Sequence, residues 1–102
     1  EQFKNDTIAK DLDNCKKKAK AEINAKAEAA NKKIEAMNNL SEEEKTAEKA
    51  KVTAAADMAK QEIGSITNPA DKADVSTKKN SGETALDTAE LDAAKKDIDS
   101  KV

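Results

Sequence analysis

The strongest constraint in this sequence is a single apolar stripe running through its first third. Ile8, Leu12, Cys15, Ala19, Ile23, Ala27, Ala30, Ile34 and Met37 follow one another in steps of 4, 3, 4, 4, 4, 3, 4 and 3 residues. Such steps return each apolar side chain to the same face of an α-helix, whereas a half-buried strand would alternate every second residue. The spacing predicts one long amphipathic helix over residues 6–38. Acids stand four residues before lysines at Asp6 and Lys10, Asp13 and Lys17, Glu22 and Lys26, and Glu28 and Lys32. These are expected to lace the helix surface with ion pairs, each worth roughly a few tenths of a kcal/mol.

Turn chemistry then divides the chain. Asn38-Asn39-Leu40 reads as a turn, and Ser41-Glu42-Glu43-Glu44 follows it. In this capping-box pattern the Ser41 hydroxyl accepts from the free N–H of residue 44, while the Glu44 side chain reaches back to residue 41. A second helix is expected over residues 42–66, with a wide apolar arc made of Ala47, Ala50, Val52, Ala54, Ala55, Met58, Ala59, Ile63 and Ile66. Gly64 marks fraying or close packing near its end. Thr67-Asn68-Pro69 forms the second turn, with Asn68 as N-cap and Pro69 at the first helical position. A third helix over residues 69–100 contains one weak stretch, Ser76 to Gly82. Either the helix breaks there or Gly82 packs closely against a neighbour. Val75, Gly82, Leu86 and Ala89 share one face, which favours continuity. The fold class is all-α, an elongated three-helix bundle.

Its core must be thin. The chain has 16 large apolar side chains (Leu, Ile, Val, Met, Phe) and 20 Ala in 102 residues. Burying a large side chain contributes roughly 1.5–3 kcal/mol, while ordering each residue's backbone costs about 1–2 kcal/mol. A lone copy is therefore expected to be marginally stable. Charged residues make up 39% of the chain, yet the net charge is only −2 and all 19 basic residues are Lys. Without Arg forks or a basic excess, nucleic acid is not an expected partner. No apolar run approaches the roughly 20 residues that span a bilayer, so membrane insertion is not expected. The chain starts at Glu1 rather than Met, and it reads as an internal piece of a longer protein.

The residues offer little chemistry. Cys15 lies on the apolar stripe and no His exists to activate it. It is expected to pack like a large Ala. Consecutive acids Glu42, Glu43 and Glu44 point about 100° apart on a helix and so suit capping rather than chelation. Nothing predicts a desolvated cleft around acid pairs such as Asp87 and Glu90. The basic run Lys16-Lys17-Lys18-Ala19-Lys20 reads as a solvated face. No catalytic residue, metal site or cofactor is expected. The residues singled out are structural: Ser41, Glu44, Asn68 and Pro69 as helix caps, and Gly82 as a close contact or a break.

An internal echo refines the architecture. Leu12-Asp13-Asn14-Cys15-Lys16-Lys17 returns as Leu91-Asp92-Ala93-Ala94-Lys95-Lys96, 79 residues later. The apolar Ala19 and Ile23 meet Ile98 and Val102 at the same offset. Helix 3 would thus become helix 1 of a next copy. Leu86 and Leu91 lie about 140° apart around a helix, so the apolar face rotates where two successive bundles would share it. The expected division is a repeat unit over residues 1–90, with residues 91–102 starting the next copy's first helix or ending a long third one.

Leu40-Ser41-Glu42-Glu43-Glu44-Lys45, then Ala50-Lys51-Val52-Thr53-Ala54-Ala55-Ala56, Ile66-Thr67-Asn68-Pro69-Ala70-Asp71 and Gly82-Glu83-Thr84-Ala85-Leu86-Asp87 occur in this order. In that order and spacing they resemble the domain-of-unknown-function family fifteen-forty-two, whose members form tandem stalk repeats in large cell-wall-anchored surface proteins of Gram-positive bacteria. The resemblance spans roughly Leu12 to Asp87. It implies a non-enzymatic, extracellular spacer that holds an adhesive head away from the wall. Neighbouring repeats of the same chain would be its partners, and the unit itself would be monomeric. Cys15 departs from the usual composition of such proteins. The competing expectation is a three-helix module that binds a host serum or matrix protein through one helix face. Such faces usually carry aromatic or Arg anchors, and apart from Phe3 this chain has neither.

Overall fold

The computed structural model describes the backbone of residues 2–101 and the side chains of residues 10–100. It contains α1 (Gln2–Glu35), α2 (Glu42–Gly64), a single 3-10 turn (Pro69–Asp71) and α3 (Lys72–Lys101). Among the described residues there is no strand. The three helices lie side by side as a rod of 65 × 16 × 14 Å. Its radius of gyration is 17.1 Å, against roughly 13 Å for a compact domain of 100 residues.

Cross-helix contacts set the topology. Glu35 meets Lys49, Asn24 meets Lys60, and Lys16 reaches Gly64, so α1 and α2 are antiparallel. Lys96 nears Glu48 while Gly82 meets Ala59, so α2 and α3 are antiparallel too. α1 and α3 run parallel: Asp11 pairs with Lys72, Glu22 with Lys79, Lys26 with Asp87 and Lys33 with Glu90. α1 therefore extends beyond the Pro69 turn at one end of the rod. α3 passes the Asn39 turn at the other, where Asp97 accepts from the Asn39 N–H at 3.0 Å.

The stripe predicted for α1 faces the core. Leu12, Ala19, Ile23, Ala27, Ala30 and Ile34 are buried, with Cys15 and Met37 packed at its edge. Phe3, Asp6 and Ile8 lie outside the described side chains. The helix is displaced from the expected residues 6–38: it is already formed at Gln2 and ends at Glu35. The Lys45 ammonium closes that end by donating to the Glu35 carbonyl at 2.9 Å.

The second helix corrects the sequence expectation more deeply. Its inward stripe is Glu48, Val52, Ala56, Ala59 and Ile63, followed by the buried Ile66 beyond its end. Ala47, Ala50, Ala54 and Met58 face solvent. An Ala-rich arc is ambiguous because Ala gains little from burial and loses little on exposure, so the helix rotates to bury Val52 and Ile63 fully. α2 stops at Gly64 rather than at residue 66. The third helix also starts differently. Pro69–Asp71 forms a tighter turn, with the Asp71 N–H donating to the Asn68 carbonyl at 2.8 Å, before α3 proper begins at Lys72. From there α3 is unbroken through the weak stretch and across residue 90, and it buries Val75, Gly82, Leu86 and Ala93.

Two of the expected pairings within α1 are replaced by pairings between helices. Glu22 and Lys26 flank the core stripe, so their side chains reach Lys79 and Asp87 on α3, each at 2.9 Å. Asp13 with Lys17 and Glu28 with Lys32 lie on the exposed face and form no ion pair. Asp6 with Lys10 falls outside the described side chains.

Candidate functional site

The structure concentrates its specific interactions at helix ends, at one helix crossing and at one buried carboxylate. At the start of α2 the Ser41 hydroxyl accepts from the Glu44 N–H at 3.1 Å. The Glu44 carboxylate accepts from the Ser41 N–H at 3.0 Å. Both halves of the reciprocal cap are present, and the backbone bond to Ser41 holds the Glu44 carboxyl below its ordinary range. At the second turn the Asn68 side chain accepts from the Ala70 N–H at 3.0 Å, and Pro69 occupies the first position of the 3-10 turn. Each of these four residues serves a helix start, where backbone N–H groups lack intrahelical acceptors.

The end of α2 depends on α1. α2 has no basic residue in its last turn. Lys16 supplies the missing cation by donating to the Gly64 carbonyl at 3.0 Å. A Cβ on Gly64 would stand 3.4 Å from the Lys20 ammonium, so a second cation sits at the same negative helix end. The expected solvated basic run is thus split: Lys17 and Lys18 are exposed, whereas Lys16 and Lys20 are half-buried. Spacing alone contains this signal, because residues 16 and 20 flank the buried stripe at 19 and 23.

Gly82 lies where α3 crosses the other two helices. A Cβ there would be 2.5 Å from the Ala59 Cβ and 2.9 Å from the Ile23 Cδ1. The glycine sits inside a regular helix with no positive φ, so its role is close approach rather than special conformation.

Glu48 was not foreseen. It is 1% exposed, with Oε1 at 3.3 Å from the Lys51 ammonium and 3.7 Å from that of Lys96. Its Oε2 is buried and has no hydrogen-bond partner. Steps of four back along α2 from Ala56 through Val52 lead to position 48, so the period pointed there even though residue type did not.

The remaining electrostatics belong to a solvated surface. Hydrogen bonds hold Glu22 below the usual carboxylate range beside Lys79, and Glu35 below it beside Lys49. Their counterparts Lys79 and likewise Lys72 (beside Asp11) and Lys26 (beside Asp87) are raised. Cys15 is half-buried and forms no disulfide. It lines an open groove between α1 and α3 together with Ala19, Val75 and Ser76. Among the described residues no three His, Cys, Asp or Glu side chains converge as a metal site requires, and no helix is long and apolar enough to cross a membrane.

No match emerges among curated proteins or among solved structures. A family model does match: the one described as Domain of Unknown Function (DUF1542) aligns with residues 15–94 of the chain, from Cys15 to the last turns of α3.

Proposed function

Because the chain belongs to the DUF1542 family, we propose that it is a structural spacer without catalytic activity. In this reading it is one repeat of a stalk in a bacterial surface protein, anchored in the cell wall through its parent chain and extending a head domain outward. The observation that carries the reading is the rod itself. Its first and last helices leave from opposite ends of a body 65 Å long and at most 16 Å wide, so copies in series add length instead of bulk. A dense coat of Lys, Glu and Asp, balanced to a net charge of −2, keeps such a rod soluble and discourages lateral sticking. Most of the polar groups described above serve helix ends and helix pairing, which is what a spacer needs from them.

The test is to incubate the immobilised chain with plasma and matrix extract, and to label intact source cells with antibodies raised against it. Surface labelling that protease shaving removes, with no saturable partner, is the expected result. A specific, saturable host protein would replace the spacer with a binding module, and labelling only after lysis would overturn the surface location.

A further inference from the structure

The large apolar side chains of α3 fall on two faces. Leu86 and Ala93 are buried against α1 and α2. Leu91 and Ile98 point away, 55% and 63% exposed. At 100° per residue the Leu91–Ile98 stripe stands roughly 140° around the helix from the buried one, so both faces can be covered at once. We infer that this outer stripe is a docking surface for the α2–α3 hairpin of a following copy, for which α3 serves as the first helix. The inference rests on the serial-spacer reading and specifies its joint.

Three observations identify the occupant. The outer stripe repeats, at an offset of 79, a stripe whose covering is visible. Leu12 (the counterpart of Leu91) is buried, and it lines the same surface hollow as Thr67 and Pro69 of the α2–α3 turn. Charge agrees as well. Lys16 neutralises the C-terminal end of α2, and its counterpart Lys95 stands exposed beside Leu91 and Ile98, placed to do the same for the next α2. Volume is the third. Cys15 and Ala19 border an open groove, and at their counterparts the loss of bulk from Cys15 to Ala94 is set against a larger gain from Ala19 to Ile98, which would reach into that groove.

Covalent continuity follows from packing. In each bundle the hairpin is already covered by its own α1, which leaves no vacancy for the α3 of a separate molecule. Only a following copy that shares the helix offers an open hairpin. The joint also has a calculable step. The α1–α3 ion pairs hold α3 residues 57 to 61 positions beyond their α1 partners, so Leu91 lies level with about residue 32 of α1. That is roughly twenty residues above Leu12, and at 1.5 Å per residue each added copy advances the rod by about 30 Å.

The experiment joins residues 1–102 directly to a second stretch of residues 24–102, so that Asn24 follows Val102 as it follows Ile23. Scattering should give one straight particle about 30 Å longer than the 65 Å single copy. The double substitution Leu91→Asp and Ile98→Asp should abolish folding of the second hairpin, read as loss of its helical signal and its protease resistance. In the 102-residue chain the same pair should hardly move the melting temperature, because both positions are exposed there. Met58→Asp, at a position 63% exposed on α2, should leave both units of the joined chain folded. If the second hairpin folds equally well with Asp at 91 and 98, docking is overturned while a jointed spacer survives. If the joined chain is a compact particle no longer than one copy, docking and the spacer reading fall together.

Discussion

Gly82 and Ala59 meet where α3 crosses α2, and the Cβ that Gly82 lacks would lie 2.5 Å from the Ala59 Cβ. The second neighbour, Ile23 Cδ1 at 2.9 Å, closes the same space from α1. Both are core atoms, and Ala59 cannot yield without moving the α2 backbone. At this crossing the three helices leave no room for a methyl group on residue 82.

Gly82→Ala therefore sets two effects against each other. Ala gains about 1 kcal/mol of helix propensity over Gly, but overpacking a tight core typically costs about 1–3 kcal/mol. A net loss of about 1 kcal/mol is expected. Gly64→Ala is the control, since its new methyl would meet only the flexible end of Lys20 at 3.4 Å. It should gain up to about 0.5 kcal/mol. Urea denaturation of the two variants should move in opposite directions, and a gain at Gly82 would remove the close-approach argument.

Ser41→Ala removes one half of the reciprocal cap and leaves the Glu44 N–H without its side-chain acceptor. The expected loss is about 1 kcal/mol. Hydrogen exchange should quicken first in the opening turn of α2, Glu42 to Lys45, before the centre of the helix responds.

Glu48→Leu should stabilise the chain. The carboxylate is buried with one oxygen unpaired, whereas its partners Lys51 and Lys96 are about half exposed and can return to water. Removing a buried, poorly satisfied charge in favour of a similar apolar volume is expected to contribute about 1 kcal/mol. Glu48→Ala, which leaves the space unfilled, should gain less. Thermal melts of both variants at one pH give the comparison.

Stability should form a plateau in pH. Glu22, Glu35 and Glu44 have folded pKa values below the ordinary 4.5. Their contribution is complete above that value and is lost as pH falls through the lowered ones. Lys26, Lys72 and Lys79 are raised above 10.5. Their contribution is complete below 10.5 and disappears as pH rises through the raised values. The chain contains no His, so no histidine titration divides the plateau. Circular-dichroism melts across this range should show both edges, and 1 M salt should flatten them because the pairs are exposed.

Much of this architecture is legible in the chain itself. The steps from Leu12 to Ile34 specify the inward face of α1 because Leu and Ile penalise exposure. Ser41 with Glu44, and Asn68 with Pro69, locate both turns because their side chains serve backbone groups only a few residues away. Those signals are local, and local bonding depends on neighbours in sequence. The 79-residue offset that relates Leu12 to Leu91 is a feature of the sequence alone.

Other features required the assembled helices. Alanine's near-indifference to burial left the rotation of α2 undetermined, so Glu48 and Ala56 turned inward while Ala50 and Met58 turned out only once Val52 and Ile63 had partners. Glu22 and Lys26 satisfied the spacing for a pair on one helix, yet each found its counterion on α3, because flanking side chains lie as close to the next helix as to each other. Gly82 read as a contact or a break, with its shared face favouring continuity, and Ala59 standing against it accounts for the glycine. The helices, their caps and the inward face of α1 follow from bonding and periodicity along the chain. Which charges pair, which acid is buried and how closely the helices approach are set by the packed bundle, because those depend on distances between residues far apart in sequence.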